Sequence, residues 1–110
     1  AGSRLSAAFD YGCICAAAKA AAESLVLRSR QQGDFFTPKG MKSGKKKMQD
    51  YFVDRKIPRT ERGRCRLVCL GNEVIWVLNP FSGWRGEINE KFKVTESTKE
   101  VLLLEISSEL

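Results

Sequence analysis

RSRQQGDFFTPKGMKSGKKKMQDYFVDRKIPRTERGRCR, Arg28–Arg66, holds the one convincing amphipathic helix of the chain and most of its positive charge. Thirteen of the nineteen basic residues fall here against four of the thirteen acids, a formal charge of +9 where the whole chain carries +6. Ala1–Leu27 is neutral and Leu67–Leu110 carries −3. The cations are threaded with Phe35, Phe36, Tyr51 and Phe52. Aromatics inside a basic block predict a folded basic face, and a polyanion is its natural partner.

Within this stretch Met48, Tyr51 and Phe52 lie at i, i+3 and i+4, the spacing of one apolar helix face. Ser43 is the expected N-cap of a helix running to about Asp54. Lys45, Lys46 and Lys47 would then sit in its first turn, where each exposed cation opposes the helix dipole by about 0.3–1 kcal/mol. A phosphate partner would remove that conflict. Pro58 moves Ile57 out of helical geometry and ends the helix. Arg59–Arg64 reads as a turn or short helix presenting arginines. Before the helix, Gln31–Asp34 has turn chemistry, and Phe35–Met41 is a loop punctuated by Pro38 and Gly40.

Outward from the block, Leu25–Arg30 reads as a strand with Leu25 and Leu27 on one face. Ala1–Tyr11 is a ragged arm or a short edge strand, and Ala1-Gly2-Ser3 has the composition of a cloning remnant. Gly12–Glu23, GCICAAAKAAAE, has high helix propensity but a narrow apolar stripe, which suits a spacer or a short surface helix. Residues 1–24 are therefore expected to form an arm or linker, and residues 25–110 the domain. On the other side, Arg66–Leu70 and Glu73–Leu78 are apolar strands joined by a Gly71-Asn72 hairpin, with Trp76 on the face of Val74 and Leu78. Asn79–Gly86 is a loop carrying Phe81 and Trp84. Ile88–Val94 reads as a weak strand with Phe92 and Val94 on one face. Val101–Ile106, VLLLEI, reads as a buried strand. The predicted fold class is α+β: a small, mainly antiparallel, sandwich-like sheet packed on one principal helix.

Chemistry of its own is scarce in the chain. Histidine, the commonest general base, is absent. Cys13-x-Cys15 and Cys65-x3-Cys69 fit zinc spacings poorly and read as reduced thiols, so no metal is expected. Neither G-x4-G-K-[ST] nor G-x-G-x-x-G is present. Asp34, Asp50 and Asp54 could suggest a carboxylate metal site, but pairing with nearby Lys and Arg is the simpler expectation. No apolar run is long enough to span a bilayer. The first residues lack a secretory pattern, so a cytoplasmic setting is expected. A binding module with no catalytic residue is the reading that remains.

Four motifs in order, R-S-R-Q-Q-G-D-F-F-T-P-K-G-M, K-K-M-Q-D-Y-F-V-D-R-K-I-P-R-T-E-R, E-V-I-W-V and F-K-V-T-E-S-T-K, closely resemble the C-terminal domain family of bacterial-type tRNA(Ile)-lysidine synthetases, from about Leu25 to Ile106. The resemblance implies a fold similar to a module of the phenylalanyl-tRNA synthetase β subunit. It implies a parent enzyme that uses ATP to adenylate the wobble cytidine of tRNA(Ile), which lysine then attacks. ATP and Mg would belong to an N-terminal catalytic domain with an S-G-G-x-D-S-like loop. No such loop occurs here, so no cofactor is expected in this chain. The partners implied are tRNA, in particular tRNA(Ile) at its acceptor-stem side, and the enzyme's own catalytic domain.

The candidate RNA-binding residues are Arg28, Arg30, Lys45, Lys46, Lys47, Arg55, Lys56, Arg59, Arg62 and Arg64, with Asp34, Asp50 and Asp54 as orienting carboxylates. The matched motifs assign Gly33, Pro38, Gly40 and Pro58 to backbone shape, and Met41, Phe52, Ile57 and Trp76 to the core. Gly63 stands where the family usually has an acid, and Arg66 where it has proline. The Asn79–Gly86 loop is longer than usual, and Gly12–Glu23 has no counterpart. The alternative is a protein-interaction domain that docks on an acidic protein surface, with Phe81 and Trp84 as anchors.

Overall fold

The computed structural model describes residues 3–41, 44–80 and 86–108. Its centre is a hairpin of β5 (Arg66–Leu70) and β6 (Glu73–Leu78), flanked within a six-stranded sheet by β2 (Leu25–Arg28), β3 (Phe35–Phe36), β4 (Lys46–Lys47) and β7 (Gly86–Ile88). The strand order is β2-β5-β6-β3-β4, with β7 also on β6. All pairings are antiparallel except a single β3–β6 contact, Phe35 opposite Glu73. Gly71 opens the β5–β6 turn at φ 59°, a conformation that glycine supplies without steric cost. RLVCL and EVIWVL are near-continuous apolar runs because both faces of this hairpin are covered.

On one face packs α2 (Met48–Asp54), with Met48, Tyr51 and Phe52 buried as its spacing predicts. They meet Phe36, Ile57, Cys65, Leu67, Cys69, Val74 and Val77. The backbone N–H of Ile57 donates to Phe52 O, and the chain then passes Pro58 into a 3-10 turn at Arg59–Arg64. On the other face lies a second core of Phe9, Ile14, Val68, Leu70, Ile75, Trp76, Leu78 and Phe92. A two-stranded sheet closes it: β1 (Ser3–Asp10) pairs antiparallel with β8 (Val101–Ser108) from Ser3–Ser108 to Asp10–Val101. Beside it sits α1 (Tyr11–Ala21), capped by Asp10 accepting from Cys13 N and anchored by Ile14. Two sheets make the α+β, sandwich-like fold expected, with two helices rather than one: α1 has 11 residues and α2 has 7.

Six local expectations are corrected. Of the two expectations for the start of the chain the strand holds and the ragged arm does not: Ser3–Asp10 is β1, and Phe9 is fully buried against Trp76, ring centroids 5.9 Å apart. The helix begins at Met48, with Lys47 at the N-cap, while Lys46–Lys47 are extended in β4. This moves Lys45 and Lys46 out of the first helical turn and leaves only Lys47 at the positive end of the helix dipole. Ser43, the predicted cap, lies outside the described residues. The register passes from Val68–Trp76 to Cys69–Val74, so Ile75 is an extra residue, a β-bulge. It puts Val74 and Val77 against α2 but Ile75, Trp76 and Leu78 against the second core, so Val74 and Trp76 do not share a face. The strand expected over Ile88–Val94 stops at Ile88, where buried Asn89 caps a 3-10 turn, Glu90–Phe92, and leaves Val94 exposed. Finally, β8 is buried on one face only: Val101 and Leu103 are exposed, while Leu102, Leu104 and Ile106 pack inward. Met41, expected in the core, is also exposed.

Asn89 serves the bulge directly. Its backbone N–H donates to Ile75 O at 2.8 Å, and its Nδ2 donates to Val74 O at 2.8 Å. Asn89→Leu should leave Val74 O unsatisfied and lower stability by about 1–3 kcal/mol in urea denaturation. Phe9→Ala should lower it by about 3–5 kcal/mol in the same measurement, which a free N-terminal arm would not show.

Candidate nucleic-acid interface

The site is built from the turn between β2 and β3. Asp34 is buried, and its carboxylate accepts from Arg28 Nη1 and Nη2 at 2.8 Å each, from Gln31 N at 2.7 Å and from Asn72 Nδ2 at 3.0 Å. Arg28 Nη2 also donates to Gly71 O at 2.8 Å. The carbonyl of Asp34 accepts from Met48 N at 2.9 Å. One residue therefore ties the end of β2, the Gln31–Asp34 turn, the β5–β6 hairpin and the start of α2 together.

This framework holds two adjoining hollows. One, of about 430 Å³, is lined by Ser29, Arg30, Gln49, Arg59, Arg62 and Gly63. The other, of about 470 Å³, is lined by Arg30, Gln31, Gln32, Gly33, Asp34, Lys47 and Gln49. Arg30 and Gln49 belong to both and form the ridge between them. Among the described residues, the first hollow has no carboxylate in its lining, and the second has only Asp34, already neutralised by Arg28. Arg30 and Arg62 also lie over the buried ring of Phe52, 5.9 and 5.6 Å from its centroid. Cation–π contact of this kind holds a guanidinium in place without neutralising it. Arg62 is fixed further by Nε donating to Ile57 O at 3.0 Å.

Of the ten candidate cations, the structure brings Arg30, Lys47, Arg59 and Arg62 together at these hollows, and none of the four forms an ion pair among the described residues. Arg28 is committed to Asp34. Lys46 pairs with Asp54, and Arg55 pairs with Glu87 while lying 5.4 Å from the Tyr51 ring centroid. These two pairs border separate hollows that also involve Lys39, Glu90 and Lys93. Lys45 lies over Phe35 at 4.6 Å, Arg64 pairs with Glu61, and Lys56 is exposed at φ 55°. Lys45, Lys46 and Lys47 thus do not act as one helical turn of charge: successive strand residues point to opposite sides. Among the carboxylates, Asp34 and Asp54 pair with cations as expected. Asp50 is exposed and forms no ion pair among the described residues.

Gln49 is the residue that composition does not reveal. A charge count passes over it, and only its place on α2, one position after the turn-anchored Met48, brings it to the ridge. Arg66 donates from Nη1 to Gly63 O at 2.7 Å and so closes the 3-10 turn that carries Arg59 and Arg62. Phe81 and Trp84, the anchors of the protein-docking alternative, lie outside the described residues.

A family model described as the TilS substrate C-terminal domain matches residues 25–100. The chain belongs to this family. It is 45% identical over 85 residues to the tRNA(Ile)-lysidine synthase of Caldanaerobacter subterraneus subsp. tengcongensis, covering 77% of this chain and 17% of that protein. It is 42% identical over 89 residues to the enzyme of the same name from Clostridium acetobutylicum, covering 81% and 18%. For Parabacteroides distasonis the identity is 41% over 80 residues, covering 73% and 17%. The chain thus spans less than a fifth of the length of these relatives, and matches their C-terminal part. No solved structure matches it significantly. The family match covers all six strands of the larger sheet and α2, while β1, α1 and β8 fall outside it.

Burial pushes the Asp34 carboxyl up, but the hydrogen bonds from Arg28, Gln31 N and Asn72 outweigh it and hold the group below the usual carboxylate range. A depressed carboxylate contributes stability in full above its unfolded pKa of about 3.9, and loses it as pH falls through the folded value. Asp34→Asn should therefore be less stable at pH 7, by about 3–5 kcal/mol, because Arg28 is left without its counter-charge. Its urea midpoint should also fall less steeply than the parent's on acidification below about pH 4. Parallel acid slopes for the two proteins would rule out the Asp34 network as the source.

Proposed function

We propose that this chain is the tRNA-binding C-terminal module of a tRNA(Ile)-lysidine synthase. It grips a sugar–phosphate backbone with Arg30, Lys47, Arg59 and Arg62. In this reading the ligation of lysine to the wobble cytidine, with its ATP and Mg, is the work of the rest of the enzyme. The module contributes affinity and register, engaging tRNA(Ile) on the acceptor-stem side and packing with the catalytic domain.

The observation that carries the reading is the convergence, around two joined hollows, of four cations that form no ion pair among the described residues. Elsewhere on the same surface, Lys46 and Arg55 are neutralised by neighbouring carboxylates. Phosphate contacts fix register and orientation rather than sequence. A module of this kind suits an enzyme whose chemistry is directed at one nucleotide by other parts of the protein. The names of the relatives, enzymes that modify tRNA(Ile), agree in kind with such a partner.

Backbone-dominated binding is strongly salt-dependent, because each neutralised phosphate releases counterions. In mobility-shift titrations of tRNA(Ile) over a range of salt concentrations, Arg30→Ala, Lys47→Ala and Arg59→Ala should each weaken binding and lower the log–log salt slope by about one unit. Lys46→Ala, whose cation is already paired with Asp54, should leave the slope unchanged. Equal slopes for all four variants and the parent would refute the assignment.

A further inference from the structure

We infer that Gln49 reads the ribose 2′-hydroxyl of the bound strand and so makes the cleft selective for RNA over DNA. The inference rests on the nucleic-acid reading above and goes one step beyond it. Phosphate contacts alone do not make this distinction, since DNA and RNA present the same phosphate charge. A neutral group placed between phosphate-binding cations can.

Gln49 is that group. Along the ridge it shares with Arg30, one hollow offers Lys47 and the other offers Arg59 and Arg62. A strand laid across both would put one phosphate in each hollow and the intervening ribose over the ridge. The Gln49 carboxamide both donates, through Nε2, and accepts, through Oε1. The 2′-hydroxyl likewise donates and accepts, and it is the group that distinguishes RNA from DNA at a given contact. Gln49 is exposed, lines both hollows and forms no side-chain hydrogen bond with the described residues, so its donor and acceptor are open to a ligand. Its backbone is nevertheless rigid. Met48, one residue before, is fully buried and donates its N–H to Asp34 O. The carboxamide is thus delivered from a fixed base on the helix.

The test is fluorescence anisotropy of the 110-residue chain with one labelled hairpin sequence made as RNA and as DNA, at two salt concentrations. The parent protein should bind the RNA more tightly. Gln49→Ala should lose about three- to ten-fold in RNA affinity, the range of one hydrogen bond, and keep DNA affinity within about two-fold. Its thermal unfolding should match the parent's, because the side chain supports nothing in the fold. A parent that binds both hairpins equally, or a Gln49→Ala variant with the parent's RNA preference, would overturn the inference while salt-dependent binding left the tRNA-module reading standing. Absence of salt-dependent binding to either hairpin would overturn both.

Discussion

The carboxylate of Asp34 is the point on which the rest of the structure hangs. Four donors converge on it from Arg28, Gln31 and Asn72, and its own carbonyl receives the first amide of α2. A buried ion pair is weak support for net stability, because desolvation of both charges offsets much of their attraction. Its effect here is geometric. The edge strand β2, the β5–β6 turn and the helix that faces the cleft are separated by up to about forty residues in sequence, yet all three are tied to one residue, through its carboxylate or its backbone carbonyl. Residues 29–33, with Lys47 and Gln49, line the cleft and therefore hang from fixed ends on both sides.

The second constraint is the bulge at Ile75. A regular β6 would place alternate residues on alternate faces, and Val74, Trp76 and Leu78 would all face the same way. The extra residue changes the phase halfway along the strand, so the same six residues supply Val74 and Val77 to one core and Ile75, Trp76 and Leu78 to the other. Bulges leave backbone groups without a ladder partner. Asn89 answers two of them from β7's end, which ties the turn after β7 to the centre of the sheet. A hairpin buried on both faces is stiff, and α2 rests on one of those faces. The rigidity that Gln49 and Lys47 inherit therefore begins in the core.

Local signals in the sequence were read well where they were sufficient by themselves. The i, i+3, i+4 spacing of Met48, Tyr51 and Phe52 marked the buried face of α2. Pro58 marked its end, and Gly71-Asn72 marked the hairpin. What local pattern could not carry was pairing across the whole chain. β1 meets β8 with Phe9 opposite Leu102, and nothing near either residue announces the other. The uninterrupted VLLLEI run suggested burial on both faces, whereas β8 is one half of a ribbon with Val101 and Leu103 turned to solvent. The bulge was invisible for the same reason, since it is defined by β6's register against β5 rather than by β6 itself. At the candidate site, composition located the basic block and the chain's turn residues. It did not say which cations converge, because that depends on the pleat of β4, the placement of carboxylates on other elements, and a glutamine with no charge to count.

Charge density and charge convergence are therefore different quantities in this protein. Lysine occupies three consecutive positions at 45–47, yet only Lys47 lines the cleft, because Lys45 covers an aromatic ring and Lys46 meets Asp54 across α2. The arginines, spread over Arg30, Arg59 and Arg62, contribute more than the lysine run does. Holding them close has an electrostatic cost, since two like charges about 4 Å apart repel by about 1 kcal/mol even in water. The fold offsets part of it without supplying a counter-charge. The Phe52 ring attracts two guanidiniums, and the Ile57 carbonyl takes a hydrogen bond from one. Gly63 adds no side chain at a position lining the first hollow. What remains is a surface whose repulsion is relieved when an anion enters, and two phosphates on one strand would relieve it in both hollows at once.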